Sequence, residues 1–179
     1  MRIFRSLVVG ALATLVVSGG AVVTADAHRG TTDECYGKAV TIVWGPDVVA
    51  TEGDDVILGT EEADEIYGLG GDDVICAEAG NDWVYAGAGD DVANGDSGRD
   101  FVHGGQGADS VFGGPGRDDV AGGPHVDRVG GNYGNDRLRG GGGDDYLIGG
   151  PKHDYCHGGD GKDRVRTCED LWAVPRSSS

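Results

Sequence analysis

Large apolar side chains are scarce in this chain of 179 residues, which has one Met, three Phe, three Trp and six Tyr, with hydrophobic residues at 38%. A domain of this length normally builds its core from such residues. Their scarcity excludes a wide globular core and leaves room only for a narrow one. Positive charge is also short: 14 Lys plus Arg stand against 31 Asp plus Glu, a formal net charge of −17. Clustered carboxylates repel nucleic acid and anionic membrane surfaces, so neither is expected as a partner, whereas multivalent cations suit them. The HExxH and GxSxG motifs are missing, and with them the usual marks of a zinc protease or a serine hydrolase. The 36 glycines show no G-X-Y period, which excludes collagen and leaves a disordered tract or a repeat fold.

The one long apolar run is Leu7 to Val17, behind Arg2 and Arg5 and ahead of the small residues Ala25 and Ala27. That order of positive, apolar and A-x-A segments reads as a signal peptide over 1–27. An uncleaved membrane anchor is the alternative, and Ser18-Gly19-Gly20 argues against it. The mature chain is therefore expected to be secreted and extracellular, with no membrane insertion. Export makes disulfides the natural reading of Cys35, Cys76, Cys156 and Cys168, and four cysteines allow three pairings.

From Ala50 the chain divides into thirteen units of nine residues, without insertion or deletion, up to Arg166. The sixth position is Asp in every unit: Asp55, Asp64, Asp73, Asp82, Asp91, Asp100, Asp109, Asp118, Asp127, Asp136, Asp145, Asp154 and Asp163. The eighth is aliphatic or Cys in every unit, and the fourth is Gly except at Glu62, His125 and Lys152. A solvated Gly/Asp linker would have no need of an apolar residue two places after each Asp. The glycine half must turn tightly. The last three residues form a short strand with its middle side chain inward. Strands this short and regular can stack on later turns, giving a parallel solenoid with two repeats per turn, repeat n under repeat n+2. Successive aspartates then lie one strand spacing apart and repel. A hard dication relieves that repulsion, and carboxylates with backbone carbonyls are ligands that Ca²⁺ accepts better than Mg²⁺. With one inward side chain per repeat, coupling of metal binding to folding is expected.

The pattern G-G-x-G-x-D-x-U-x resembles the RTX (hemolysin-type calcium-binding) repeat family over residues 50–166. The resemblance implies an all-β fold, a right-handed parallel β-roll holding multiple Ca²⁺ ions between turns. Its ligands would be the thirteen aspartates named above and carbonyls of the glycine turns, in at most eleven inter-turn sites. Three features depart from it. Glu62, His125 and Lys152 replace glycine, the first six repeats lack a full Gly-Gly opening, and the N-terminal signal differs from the C-terminal export signal of many relatives. Residues 28–49 and 167–179 are expected to cap the two ends, through Ala39 to Trp44 and through Cys168, Leu171 and Trp172. Neither flank is long enough for a catalytic domain, and no enzyme is expected.

The solenoid register narrows the cysteine pairing. Cys76 and Cys156 would lie about four and a half turns apart, roughly 20 Å, too far for a disulfide, and Cys76 with Cys168 is excluded by a similar margin. Cys35 with Cys76 and Cys156 with Cys168 remain. A zinc site from His153, Cys156, His157 and Cys168 is disfavoured because Cys156 points inward and His157 outward. His28, at the mature N-terminus, has no evident partner for copper. Outward positions place Tyr67, Trp83, Tyr85 and Phe101 on neighbouring rungs, and Val56, Val74 and Val92 on the opposite side; Arg128, Arg137, Arg139, Arg164 and Arg166 follow in the C-terminal half. The aromatic strip reads either as cross-rung stacking or as a face for a protein or glycan partner. The second reading would make the chain an adhesion or interaction module with purely structural calcium. A third possibility is an accessory piece of an RTX enzyme system.

Overall fold

The computed structural model describes residues 15–16, 22–23, 34–43 and 50–171. Within the expected signal peptide only Leu15–Val16 and Val22–Val23 are included, paired antiparallel. His28, Trp44, Trp172 and the tail lie outside the described residues. Among those described there is no helix, and none long and apolar enough to cross a membrane.

Each xUx triplet forms a strand, and the strands divide alternately between two parallel sheets. One runs from Ile42–Val43 through Val56–Thr60, Val74–Gly80, Val92–Asn94, Ser110–Gly116, Arg128–Gly134 and Tyr146–Ile148 to Arg164–Arg166, with Ser97–Gly98 extending the fourth rung. The other runs from Glu65–Tyr67 through Trp83–Ala88, Phe101–Gln106, Asp119–Pro124, Arg137–Gly142 and Tyr155–Asp160 to Asp170–Leu171. Ile57 pairs with Ile75 and Ile75 with Ala93; across the roll, Val84 pairs with Val102 and Val102 with Val120. Repeat n lies under repeat n+2, and the chain is a β-solenoid of about six turns.

The eighth-position side chains fill the space between the sheets. From Ile57 and Ile66 to Leu147 and Cys156 they are buried, and Val165 packs on the end of the column. This core is one side chain deep from each face, as the composition requires. Its ends are closed by continuation of the sheets. Ile42–Val43 pairs with Ile57–Leu58, covering the first rung, and Asp170–Leu171 pairs with Tyr155–Cys156 at the last. The expected N-terminal strand is split, however. Lys38–Ala39 turns back on Glu34–Cys35 in a hairpin through Tyr36 and Gly37, both at positive φ. That hairpin lies over the outward valine column: Cys35, Val74 and Cys76 are buried together, with Val40, Val56 and Val92 against them. The valines thus serve an internal contact. The disulfides are Cys35–Cys76 and Cys156–Cys168, with Cα atoms 5.9 and 6.0 Å apart. Each ties a flank to an end of the roll, and the second takes both thiolates from the zinc reading.

Stacking of turns, more than turning itself, demands the fourth-position glycine. A Cβ on Gly116 would overlap the carbonyl oxygen of Gly98 in the turn below, whereas one on Gly142, at the third position, would find its nearest atom 3.9 Å away. Gly116→Ala is therefore expected to destabilise the folded protein by about 1–3 kcal/mol or more, and Gly142→Ala by less than about 0.5 kcal/mol. Thermal unfolding of the two variants side by side checks this, and equal melting temperatures would contradict the stacking.

Candidate metal centre

The glycine turns lie along the two edges of the roll, where each position-six Asp is held at the start of its strand. Its backbone carbonyl accepts from the residue that begins the strand two repeats later, as Asp100 does from Asp119 N–H at 2.9 Å. Its Oδ1 accepts from the backbone N–H of the Asp two repeats earlier: Asp82 N–H to Asp100 and Asp100 N–H to Asp118, both 2.9 Å. This ladder runs from Asp55 to Asp163 on one edge and from Asp64 to Asp154 on the other. At the end of the latter, Glu169 Oε2 accepts from Asp154 N–H at 2.8 Å, so a glutamate completes the series where the repeats stop.

The second carboxylate oxygen has a different fate. In Asp73, Asp82, Asp91, Asp100, Asp109, Asp118, Asp127, Asp136, Asp145, Asp154 and Asp163, Oδ2 is buried with no hydrogen-bond partner. In nine of the eleven it faces the first-position glycine of its own repeat, the exceptions being Asp82 and Asp91, whose repeats have Ala77 and Ala86 there. In several turns a carbonyl from the turn above converges on the same place. A Cβ built on Gly95 would lie 2.8 Å from Asp100 Oδ2 and 2.7 Å from the Gly113 carbonyl oxygen; on Gly131, the Asp136 and Gly149 oxygens would each be 2.6 Å away. Two acceptors meet with no donor between them. Buried polar atoms are almost always partnered, and a cation is the partner that two converging oxygens fit.

Asp55 and Asp64 escape this. Asp55 Oδ2 accepts from the N–H of Thr51 at 2.8 Å and from its hydroxyl at 2.9 Å, and Asp64 Oδ2 accepts from those of Thr60 at 2.7 and 2.9 Å. The difference lies in the second position of the repeat. In repeats three to thirteen that residue has positive φ: glycine in seven, and Leu69, Glu78, Asp96 and Asn132 in the others. Thr51 and Thr60 are not in that conformation, and their N–H groups reach the carboxylate. One backbone rotation separates the eleven orphaned oxygens from the two satisfied ones.

The replaced glycines at Glu62, His125 and Lys152 leave the turn intact. The Glu62 and His125 carbonyls face Gly80 and Gly143 in the turn above, as glycine carbonyls do elsewhere. His125 Nδ1 accepts from Gly107 N–H at 3.1 Å, and Lys152 adopts φ 93°. Asp127 and Asp154, in two of these repeats, retain the unpartnered Oδ2. The fifth position, to which the sequence reading gave no part, carries a second ladder. Asp54, Asp72 and Asp90 accept from the backbone N–H of Asp72, Asp90 and Ala108 at 2.8–2.9 Å; Asn81 and Asp144 do the same for Arg99 and Lys162. An excess of Asp and Asn at that position was its only trace.

The donor set favours a hard cation held weakly. No group of three or more His, Cys, Asp or Glu side chains suited to a metal occurs among the described residues. A cation in a turn would therefore draw mostly on carbonyls, with few carboxylates. All-oxygen ligation is what Ca²⁺ takes, and low ligand charge gives the weak affinity of extracellular modules. Without a cation, burial pushes the Asp73, Asp100, Asp118 and Asp127 carboxyls up to about 7, against the backbone hydrogen bonds that pull the other way; neighbouring aspartates add to the rise. Burial likewise raises Asp91 and Asp136 to about 6.

Carboxyls raised in the folded state bind more protons there than in the unfolded chain. Their stabilisation is fully present below the unfolded value of about 3.9 and is lost as pH rises through about 6 to 7. In chelator, acidification from pH 8 to 5.5 is therefore expected to increase β-structure, read by far-UV circular dichroism. A metal-free protein that loses β-signal over this range would contradict the assignment.

A family model described as the RTX calcium-binding nonapeptide repeat (four copies) matches residues 49–84, 77–102, 85–120, 94–129 and 130–165. No curated protein matches the chain.

Proposed function

This chain belongs to the RTX calcium-binding nonapeptide-repeat family, and from that premise we propose that it is an exported protein whose β-roll binds Ca²⁺ between successive turns and folds as it does so. The observation that carries this reading is the set of eleven buried Oδ2 atoms without a donor, nine of them against the first-position glycine of their own repeat. The ligands we assign are Asp73, Asp82, Asp91, Asp100, Asp109, Asp118, Asp127, Asp136, Asp145, Asp154 and Asp163, together with turn carbonyls. Bound calcium would supply the positive charge that these oxygens lack. Thr51 and Thr60 take that part for Asp55 and Asp64, so the first two repeats are metal-independent; this narrows the thirteen ligands expected from the repeat alone. With the Cys35–Cys76 disulfide and the hairpin over the valines, they form a cap on which later turns assemble. Secretion rests on the 1–27 leader and agrees with the millimolar calcium outside cells. No catalytic role is assigned.

Residues 28–179 in chelator at neutral pH are expected to lack most β-structure and to gain it cooperatively at about 10⁻⁴–10⁻³ M calcium, with magnesium ineffective. Full β-signal and protease resistance in chelator at that pH would sink the proposal.

The two roles of the position-six Asp separate by substitution. Asp100→Asn keeps the Oδ1 acceptor and sets an N–H₂ toward the Gly113 carbonyl; Asp100→Ala loses both. Both variants are expected to raise the calcium midpoint. Only Asp100→Ala should weaken the acid-stabilised metal-free fold at pH 5.5, by about 1–3 kcal/mol, the cost of unpartnered buried polar groups. An unchanged calcium midpoint in Asp100→Asn would remove the carboxylate from the calcium-binding role, and equal loss of both variants in urea titrations at pH 5.5 would contradict the Oδ1 ladder.

A further inference from the structure

The valine column is covered, but the aromatic column on the other sheet is open. Tyr67 and Tyr85 stack with centroids 5.1 Å apart and planes 6° from parallel; Trp83 and Phe101 follow at 5.3 Å. Trp83 remains 54% exposed. Beside it lies a groove of about 440 Å³, lined by Asn81, Trp83 and Phe101 with Arg99, Arg117 and Arg137. The rungs are those of repeats four, six, eight and ten, a length of roughly 14 Å at strand spacing.

The charges in this groove are unequally occupied. Asp100 and Asp118 also line it, but their Oδ1 atoms accept from the Asp82 and Asp100 N–H groups and their Oδ2 atoms turn toward Gly95 and Gly113. Asp119 is paired with Arg139 at 2.9 Å, the only salt bridge among the described residues. Among the described residues, Arg99, Arg117 and Arg137 have no ion-pair partner. Three guanidinium groups with no salt bridge among the described residues stand next to the exposed Trp83 and the half-buried Phe101.

We propose that this groove binds an acidic oligosaccharide, its sugar rings stacked on Trp83 and Phe101 and its carboxylates or sulfates held by Arg99, Arg117 and Arg137. An aromatic face attracts the electropositive C–H face of a sugar ring, and a guanidinium fork matches a planar oxyanion. Three cations over roughly 10 Å, one per rung, match a polymer with about one anion per ring. Nucleic acid, with a charge every ~1.7 Å, carries about three times the anion density that one cation per rung can match. The proposal rests on the calcium-binding reading at one point: dications in the nine inter-turn positions of repeats three to thirteen would offset the net charge of −17, removing long-range repulsion of an anionic sugar.

Full-length mature protein, shown by circular dichroism to be folded in calcium, is titrated calorimetrically with tetragalacturonate, a heparin tetrasaccharide, cellotetraose and a thymidine oligonucleotide. Binding of either acidic sugar at least tenfold tighter than cellotetraose is expected, and the preferred one identifies carboxylate or sulfate as the anion. Arg99→Gln with Arg117→Gln should weaken it at least tenfold, and Trp83→Ala at least fivefold, with the calcium-induced spectrum unchanged. The Arg137→Gln variant serves as a second reading if the double variant does not fold. No binding by a calcium-folded protein, equal binding of the neutral sugar, tighter binding of the oligonucleotide, or binding indifferent to these substitutions would overturn the proposal. Sugar binding by a protein whose β-structure ignores calcium would instead refute the calcium reading and leave the groove standing.

Discussion

Every turn from the third repeat onward depends on how one buried carboxylate oxygen is satisfied. Oδ1 of each position-six Asp is consumed by the backbone N–H of the turn below, so the side chain cannot swing out to solvent without breaking the ladder. Oδ2 is then fixed beside the glycine turn without a donor. The structure offers few ways to relieve that arrangement. A proton turns the oxygen into a donor, an amide would do so permanently, and a cation accepts lone pairs from both it and the carbonyl. The raised carboxyls at Asp73, Asp100, Asp118 and Asp127 express the same constraint in the language of proton affinity. At neutral pH the proton is a poor solution, which leaves the cation.

The rest of the architecture follows from repeating that turn. Because the two sheets are only one inward side chain apart, burial contributes little beyond the column from Ile57 to Cys156, and stability accumulates rung by rung between neighbours. Such a solenoid is weakest at its ends, and both are reinforced. A disulfide ties each flank to the roll, sheet strands cover the first and last rungs, and Glu169 supplies the acceptor missing after Asp154. The N-terminal end is stiffened further by Thr51 and Thr60, whose donors satisfy their aspartates internally.

Much of this was legible in the sequence because the repeat length is exact. A nine-residue period with an invariant Asp and an apolar residue two places later led to the eighteen-residue register, the two sheets, the inward column and, through distance along the axis, the cysteine pairing. Single residues that break the pattern were less legible. Glu62, His125 and Lys152 read as damaged turns, yet the backbone holds its course through all three, since neighbouring rungs dictate it. Thr51 and Thr60 read only as absent glycines, although their donors change the chemistry of their repeats. The position-five ladder was hidden because Asp and Asn are common in any turn.

Sequence alone determined the period, the alternation of turn and strand, the side chains that face inward, and the oxygen-rich character of the edges, because each follows from chemistry repeated in every unit. Tertiary structure decided what depends on the relation between turns. It divided the two oxygens of each aspartate into one held by the backbone and one left free, and it set the second residue of eleven repeats at positive φ. It covered the valines with a hairpin while leaving Trp83 exposed and Phe101 half-buried. It also paired Asp119 with Arg139 and, among the described residues, left Arg99, Arg117 and Arg137 without ion-pair partners. These outcomes turn on contacts between residues far apart in the chain and on a single rotation at the second position, and a local pattern does not encode which donor reaches which acceptor once the turns are stacked.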